Sequence, residues 1–162
     1  MTENFTSEEI IRELGMLPHP EGGYYKETYR SLTQTTLADG RVRNVCTAIY
    51  YLMQDDDISH LHRIASDETW LFHQGQSVEI VIVEQGALRI ERLGNNLPDG
   101  EHPQVVVPAG AWFGARLKGG IGHALVSCLV SPGFDFEDFE LGREADFEGL
   151  ECLEQIRGMI SR

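Results

Sequence analysis

The 162-residue sequence predicts an all-β fold, either a sandwich or a barrel of short antiparallel strands. About eight runs rich in β-branched and aromatic residues follow one another at a spacing of about 8–12 residues. Glycine-containing turns separate these runs, among them Asp39-Gly40, Gln85-Gly86 and Lys118-Gly-Gly. No helical pattern alternates with the strands, so a parallel sheet built from βαβ units is not expected.

In chain order, the first predicted element is a helix of about two to three turns at residues 6–15. Thr6 and Glu9 form its capping pair, and Gly15 ends it. Prolines and glycines then interrupt regular structure at Leu17-Pro-His-Pro-Glu-Gly-Gly. The predicted strands follow this loop: Tyr24–Arg30, Asn44–Met53, Glu68–His73, Val78–Glu84, Ala87–Leu93, Gln104–Val107, Ala111–Leu117 and Ala124–Val130. The segment Phe147–Ile160 is compatible with a closing helix.

Nothing in the sequence divides the chain, because it contains no internal repeat, low-complexity tract or linker. We therefore predict one domain over residues 1–162. It comprises the helix at about 6–15, a barrel at about 22–141 and a C-terminal segment at 142–162.

The charge balance restricts the partners of the protein. Thirteen Lys and Arg residues against 26 Asp and Glu give a formal net charge of −13. Nucleic acid and anionic membranes are therefore not expected as partners, because both are bound through basic side chains. Cys46, Cys128 and Cys152 lie far apart, so neither a disulfide framework nor a thiolate zinc site is indicated. The acidic start lacks the features of a secretory signal, and we predict a cytoplasmic protein.

The densest chemical signal is the segment His60-Leu-His62 followed by Glu68. Side chains alternate along a strand, so histidines two residues apart face the same side. With Glu68 from the next strand, His60 and His62 would supply a two-histidine, one-carboxylate site for one divalent metal ion. His73 faces the other way unless a bulge intervenes. A pair of strand histidines that bind only backbone or water remains an alternative.

Two motifs in this region resemble those of the cupin superfamily. His60, His62, Glu68 and Gly75 resemble the first motif, and Pro108-x-Gly110-x-x-Phe113 resembles the second. The sequence departs from the cupin pattern at two places. Five residues separate His62 from Glu68 where cupins usually have three or four, and Phe113 occupies the position of the last metal-binding histidine. The resemblance therefore implies either no cofactor or a metal ion held by three ligands.

Longer segments resemble one small cupin family that is catalogued as a domain of unknown function. They begin at Leu17, Thr47, His62, Pro103 and Ser131 and together extend over nearly the whole chain. The resemblance implies an all-β cupin double-stranded β-helix, that is, a jelly-roll barrel, similar in shape to nucleotide-sugar epimerases. It also implies a homodimer and no settled reaction. The strand Tyr24–Ser31 contains no proline and is the predicted pairing edge of that dimer.

We predict catalytic roles for three residues of these segments. His62 is the predicted general base, Glu68 orients it or balances its positive charge, and Tyr25 is the predicted general acid. An imidazole with an ordinary pKa near ~6.5 suits this role at neutral pH. The predicted ligand-binding residues carry polar groups or aromatic rings near the expected barrel interior: Glu21, His60, Arg63, Trp70, Phe72, His73, Gln104 and Phe113. Arg63 has an alternative partner in Asp67, and the aromatic residues are core residues unless the barrel is open.

The function predicted from these residues is binding of a small polar metabolite, such as a sugar or sugar derivative, with epimerase or isomerase chemistry. Two alternatives remain open. One is a metal-dependent oxygenase or isomerase that uses His60, His62 and Glu68. The other is a binding or storage module that holds its ligand unchanged.

Overall fold

The computed structural model describes residues 5–162. Residues 1–4, which contributed to the cytoplasmic prediction, lie outside the described residues. Two α-helices are described, α1 (Ser7–Leu14) and α2 (Leu153–Ile156). The strands of the described range are β1 (Leu17–Pro18), β2 (Tyr24–Arg30), β3 (Gln34–Thr36), β4 (Val42–Asn44), β5 (Thr47–Gln54), β6 (Ile58–Arg63), β7 (Asp67–Gly75), β8 (Val78–Glu84), β9 (Ala87–Leu93), β10 (Gln104–Val107), β11 (Trp112–Leu117), β12 (His123–Ser131) and β13 (Glu140–Leu141).

The strands form two antiparallel sheets and a separate hairpin. One sheet has the order β1-β2-β5-β12-β7-β10, the other has the order β13-β6-β11-β8-β9, and β3 pairs with β4. Strands that are distant in sequence lie side by side in both sheets, as in a jelly roll. The predicted all-β jelly-roll class is confirmed.

The eight predicted strands are all present, most of them within one or two residues of the predicted bounds. The run Asn44–Met53 is divided, because Asn44 ends β4 and β5 begins at Thr47. The short strands β1, β3 and β13 carry too few residues for an alternating pattern and were not predicted. β6 was not among the eight predicted strands either, although the argument for His60 and His62 assumed an extended strand there.

The predicted N-terminal helix is also confirmed, together with its capping pair. The hydroxyl of Thr6 accepts from the backbone N–H of Glu9, and the backbone N–H of Thr6 donates to the Glu9 carboxylate over 2.8 Å. Gly15 ends the helix in the left-handed conformation at a φ of 63°. Ile10 packs against Leu52, which places the helix on the outer side of the six-stranded sheet.

The C-terminal segment covers the outer face of the five-stranded sheet. Phe147, Ile156 and Met159 are buried there in one cluster with Leu61. The closing helix is shorter than the segment Phe147–Ile160 suggested, since α2 has only four residues between short 3₁₀ turns. Gly149 adopts a φ of 82°, which interrupts a right-handed helix immediately after Phe147 enters the core.

Between the sheets, a large apolar core fills most of the barrel. Met53, Trp70, Ile80 and Phe113 are among its buried members and come from both sheets. The core stops short of one end of the barrel, where the side chains enclose a cavity.

The outer edge of β2 is only partly covered. β1 pairs with Tyr24 and Tyr25 alone, and no other described strand pairs with residues 26–30 on that side. No helix within residues 5–162 is both long and apolar enough to cross a membrane.

Candidate functional site

The cavity has a volume of about 650 Å³. Its inner wall carries polar and ionisable side chains: His19, Glu21, Tyr25, Thr47, His62, Glu68 and Cys128. Apolar side chains form most of the remaining wall, including Ile49, Ile64, Val130, Phe134 and Phe139. An apolar pocket with a few convergent polar groups is the usual form of a small-molecule site.

Two glycines place the loop before β2 at the cavity. Its backbone closes through a 2.8 Å hydrogen bond from the N–H of His19 to the carbonyl of Gly23. Gly22 and Gly23 have φ values of 106° and 74°. A Cβ atom would lie 2.4 Å from the carbonyl oxygen of Ile58 at Gly22, and 2.6 Å from that of Leu52 at Gly23. Only glycine therefore allows the loop to approach the barrel this closely.

His19 presents a hydrogen-bond donor to the cavity. Its Nδ1 lies 3.0 Å from the backbone N–H of Glu21 and must accept from it, so a neutral His19 carries its proton on Nε2. Burial lowers the pKa of His19 to about 4, which keeps the ring neutral at pH 7. The ring packs edge-on against Tyr25 and Tyr51, with centroids 5.0 and 5.5 Å apart.

His62 presents the opposite tautomer. Its Nδ1 lies 2.7 Å from the backbone carbonyl of His60, which can only accept, so Nε2 bears a free lone pair. Phe113 and Phe139 pack on the ring, with centroids 4.2 and 5.3 Å away. Only 8% of His62 is exposed, and burial lowers its pKa to about 4. The ring is a neutral acceptor at pH 7.

Glu68 is the ionisable group whose environment suits proton transfer best. It is 8% exposed on β7, and burial raises its pKa to about 7. The thiol of Cys128 on β12 donates to its carboxylate and partly offsets this rise. Burial and the neighbouring Glu68 in turn raise the pKa of Cys128. The predicted contact through which Glu68 would orient His62 is replaced by the bond between His62 and the backbone carbonyl of His60.

Glu21 is a second buried carboxyl group in the cavity wall. Only 6% of the residue is exposed, and within residues 5–162 no hydrogen-bond donor contacts its carboxylate. Burial raises its pKa, and the nearby His60 partly opposes that change. Tyr25, from β2, lies in the same wall.

Charged residues at the cavity mouth are paired with one another. Arg30 donates to Glu27 over 2.6 Å and to the backbone carbonyl of Phe134 over 3.0 Å. Residues 134–139 form the rest of the mouth, and the buried side chain of Asp138 binds Arg43 of β4 over 2.9 Å. These contacts hold the mouth of the cavity to the β3–β4 hairpin.

The structure does not assemble the predicted metal site. Opposite Phe113 and Ala115 of β11, β6 carries one extra residue between Ser59 and His62. This bulge breaks the strict alternation on which a shared face for His60 and His62 depended. His60 lies outside the cavity wall, and its Nδ1 contacts the backbone carbonyl of Glu21. No three His, Cys, Asp or Glu side chains of the described range are grouped as metal ligands, so the residues present do not fit a metal ion.

Several predicted ligand-binding residues lie away from the cavity because of their strand positions. Arg63 projects outward, 4.4 Å above the ring of Trp112, and pairs with Glu140 rather than Asp67. Gln104 is exposed on the edge strand β10.

The predicted aromatic residues and His73 also lie elsewhere. Trp70 and Phe113 belong to the apolar core, as their alternative assignment stated. Phe72 and His73 border a separate, shallower depression of about 420 Å³. Of the predicted site residues, the cavity therefore brings together Glu21, Tyr25, His62 and Glu68.

Sequence reasoning missed His19, Cys128 and Arg30 as cavity residues. His19 lies between two prolines in the segment that carried the family resemblance, and this was the available signal. Cys128 lies in an apolar run of the sequence, which predicts only an ordinary buried residue. Only the pairing of β12 with β7 brings it to Glu68.

A jelly-roll barrel with a ligand-sized cavity between its two sheets defines the class of cupin proteins. The chain belongs to the family described as Cupin superfamily (DUF985), whose family model matches residues 8–142. The predicted family resemblance is thus confirmed.

Relatives in three organisms share most of this chain. Uncharacterized protein YML079W from Saccharomyces cerevisiae is 30% identical over 145 residues, covering 81% of this chain and 72% of the yeast protein. The solved structure of a hypothetical protein from Leishmania major has a TM-score of 0.89 and 35% identity, covering 98% of this chain and 100% of that chain. Protein SO0799 from Shewanella oneidensis has a TM-score of 0.88 and 36% identity, covering 98% of this chain and 99% of that chain.

More distant solved structures share the fold alone. A cupin 2 conserved barrel domain protein from Rhodopseudomonas palustris has a TM-score of 0.57 at 15% identity, over 90% of this chain and 88% of that chain.

Proposed function

We propose that the protein binds a small polar metabolite of the sugar class in the cavity and catalyses its isomerisation or epimerisation by proton transfer. The observation that carries this proposal is the buried Glu68, whose pKa of about 7 lies within a ligand-sized cavity. A general base or acid works best when its pKa lies near the working pH.

Glu68, rather than His62, is the proposed proton carrier. As a carboxylate, it removes a proton from the carbon next to a carbonyl group and becomes the neutral acid, while the electron pair moves onto the carbonyl oxygen. In isomerisation, Glu68 returns the proton to the neighbouring carbonyl carbon, while the hydroxyl proton of the deprotonated carbon moves to the former carbonyl oxygen. In epimerisation, Tyr25 donates a proton to the opposite face of the same carbon, and Glu68 and Tyr25 then regain their starting protonation states by exchange with water. At neutral pH both protonation states of Glu68 are well populated, since its pKa is about 7. His62, with a pKa of about 4, is the weaker base.

The neutral histidines have complementary binding roles in this proposal. The Nε2–H of His19 donates to the substrate oxygen on which negative charge develops, and the hydroxyl of Tyr25 is a second donor at the same wall. The free Nε2 of His62 accepts from a substrate hydroxyl group. The predicted general acid Tyr25 therefore keeps a place in the site, and the predicted base His62 becomes a positioning residue.

The two alternative functions have less support. A metal-dependent enzyme needs a ligand set that His60, His62 and Glu68 do not form. A storage module would share the cavity, but it would not require a carboxyl group with a pKa of about 7.

Deuterium exchange tests the proposed chemistry. The purified protein is mixed with a panel of keto-sugars in deuterated water, and exchange at the carbon next to the carbonyl is followed by NMR. We expect exchange in the wild type and a loss of about 100-fold or more in Glu68→Gln. His62→Gln should weaken substrate binding more than it slows exchange at saturation.

Glu91→Gln is the matched control, because Glu91 lies on β9 outside the cavity wall and the substitution removes the same charge. Exchange that is undiminished in Glu68→Gln would contradict the proposed role of Glu68. A ligand that binds in the cavity without any exchange would favour the storage alternative.

A further inference from the structure

The inner wall of the cavity offers more hydrogen-bond acceptors than donors. Glu21 and Glu68 each present a carboxyl group, and His62 presents the lone pair of Nε2. All three residues are at least nine-tenths buried, at 6%, 8% and 8% exposure. The free donors of this wall are the Nε2–H of His19 and the hydroxyl groups of Tyr25 and Thr47, since the thiol of Cys128 already donates to Glu68. They face five acceptor atoms, the four carboxyl oxygens of Glu21 and Glu68 and Nε2 of His62. A ligand that completes this wall must itself be rich in donors.

The charges of the cavity wall also favour a ligand that is rich in hydrogen-bond donors. Among the described residues of the wall, Arg30 is the one Lys or Arg, and its guanidinium already binds Glu27 over 2.6 Å and the carbonyl of Phe134 over 3.0 Å. His19 and His62 are neutral at pH 7 because burial lowers the pKa of each. Glu21 therefore has no Lys or Arg of the described cavity wall beside it, and its titratable neighbour His60 lies outside that wall.

The carboxyl oxygens of Glu21 are open to the cavity, where a cationic group on a ligand would give them a charge-assisted hydrogen bond. Aromatic rings of the same wall, those of Tyr25, Phe134 and Phe139, favour a cation over an anion because their faces carry partial negative charge. A carboxylate or phosphate group on the ligand would instead meet two buried carboxyl groups in a medium of low polarity. The net charge of −13 would also repel such a ligand during its approach.

We propose that the cavity selects a ligand that carries a protonated amino group beside hydroxyl groups, such as an amino sugar, with Glu21 as the partner of the ammonium group. In this arrangement the hydroxyl groups donate to Nε2 of His62 and accept from Nε2–H of His19. This proposal rests on the proposed function, since it concerns the ligand of the same cavity. It excludes nucleotide sugars and sugar acids as preferred ligands.

Three sugars of one size and different charge test it: glucosamine, glucose and glucuronate. Isothermal titration calorimetry at neutral pH measures the affinity of each for the wild type, Glu21→Gln and Glu91→Gln. We expect the wild type to bind glucosamine about tenfold or more tightly than glucose, with glucuronate weakest. Glu21→Gln should reduce the preference for glucosamine over glucose to about threefold or less, and Glu91→Gln should retain it. Circular dichroism on both variants checks that they are folded.

The outcomes separate this inference from the proposed function. Glucose or glucuronate bound as tightly as glucosamine would overturn the preference for an amine, while the deuterium-exchange result for Glu68→Gln would stand. A preference that persists in Glu21→Gln would overturn the assigned partner. Failure of all three sugars to bind would overturn the amino-sugar class. Binding of glucosamine without exchange on any keto-sugar would support this inference and contradict the proposed chemistry.

Discussion

Replacing Glu68 by glutamine should make the stability of the protein less sensitive to rising pH. In the unfolded chain this carboxyl group ionises near pH 4.5, whereas burial raises its pKa to about 7 in the folded protein. Between these values the folded state keeps a proton that the unfolded state has lost. The stabilisation associated with Glu68 is therefore fully present below pH 4.5 and is lost as the pH rises through about 7.

The size of the effect follows from the two pKa values. Their difference, from 4.5 to about 7, corresponds to about 3 kcal/mol in the free energy of unfolding. From about pH 5 to about pH 8.5 the advantage of Glu68→Gln over the wild type should grow by about 2.5 kcal/mol. Glutamine keeps the shape of the side chain, so any fixed cost of the substitution cancels in this comparison.

Urea unfolding followed by circular dichroism at several pH values measures the change. Glu91→Gln is the control, because 39% of the Glu91 side chain is exposed on β9. Its difference from the wild type should stay nearly constant over the same pH range. A difference between Glu68→Gln and the wild type that does not vary with pH would show that Glu68 titrates normally, and the reasoning for its role as proton carrier would fail.

Three further predictions concern other parts of the structure. His62→Gln should have the opposite pH dependence, because burial lowers the pKa of His62 from 6.5 to about 4. As the pH falls from about 8 to about 5, the free energy of unfolding of the variant, measured by urea unfolding, should rise by about 2 kcal/mol relative to that of the wild type. Gly23→Ala should lower the free energy of unfolding by about 3 kcal/mol and weaken ligand binding, because its Cβ would lie 2.6 Å from a carbonyl oxygen. Gly110→Ala, at a position with a similar φ and open space around the added Cβ, should lower it by only about 1 kcal/mol. Equal losses of unfolding free energy in the two glycine variants would contradict the close approach of Gly23 to the carbonyl oxygen of Leu52. The protein should be a dimer paired along the strand Tyr24–Ser31, with a mass near twice 18.2 kDa by size exclusion with light scattering; a monomer over a hundredfold concentration range would rule this out.

Local features of the fold were predictable because neighbouring residues determine them. At the start of the helix, the side chains of Thr6 and Glu9 each accept a hydrogen bond from the backbone N–H of the other residue. This pairing requires only the correct spacing in sequence. Alternating and apolar runs likewise marked the eight predicted strands, because the period of a strand is a property of the backbone. The motifs that resemble cupins added the arrangement of the sheets, which periodicity alone leaves open.

The candidate site was only partly predictable, because its chemistry depends on contacts between distant segments. The alternation of side chains along a strand predicted that His60 and His62 face the same side. A bulge in β6 changes that register, and the hydrophobic pattern of the sequence does not reveal a bulge. Cys128 meets Glu68 only because β12 pairs with β7.

Residue patterns alone were therefore enough to identify the N-terminal helix, eight strands, the family and four cavity residues: Glu21, Tyr25, His62 and Glu68. The chemical role of each of these four residues depends on the folded structure. A pKa depends on burial and on neighbouring charges, and both are set by the packing of the two sheets. That packing makes His62 a neutral acceptor and leaves Glu68 as the group that titrates near pH 7.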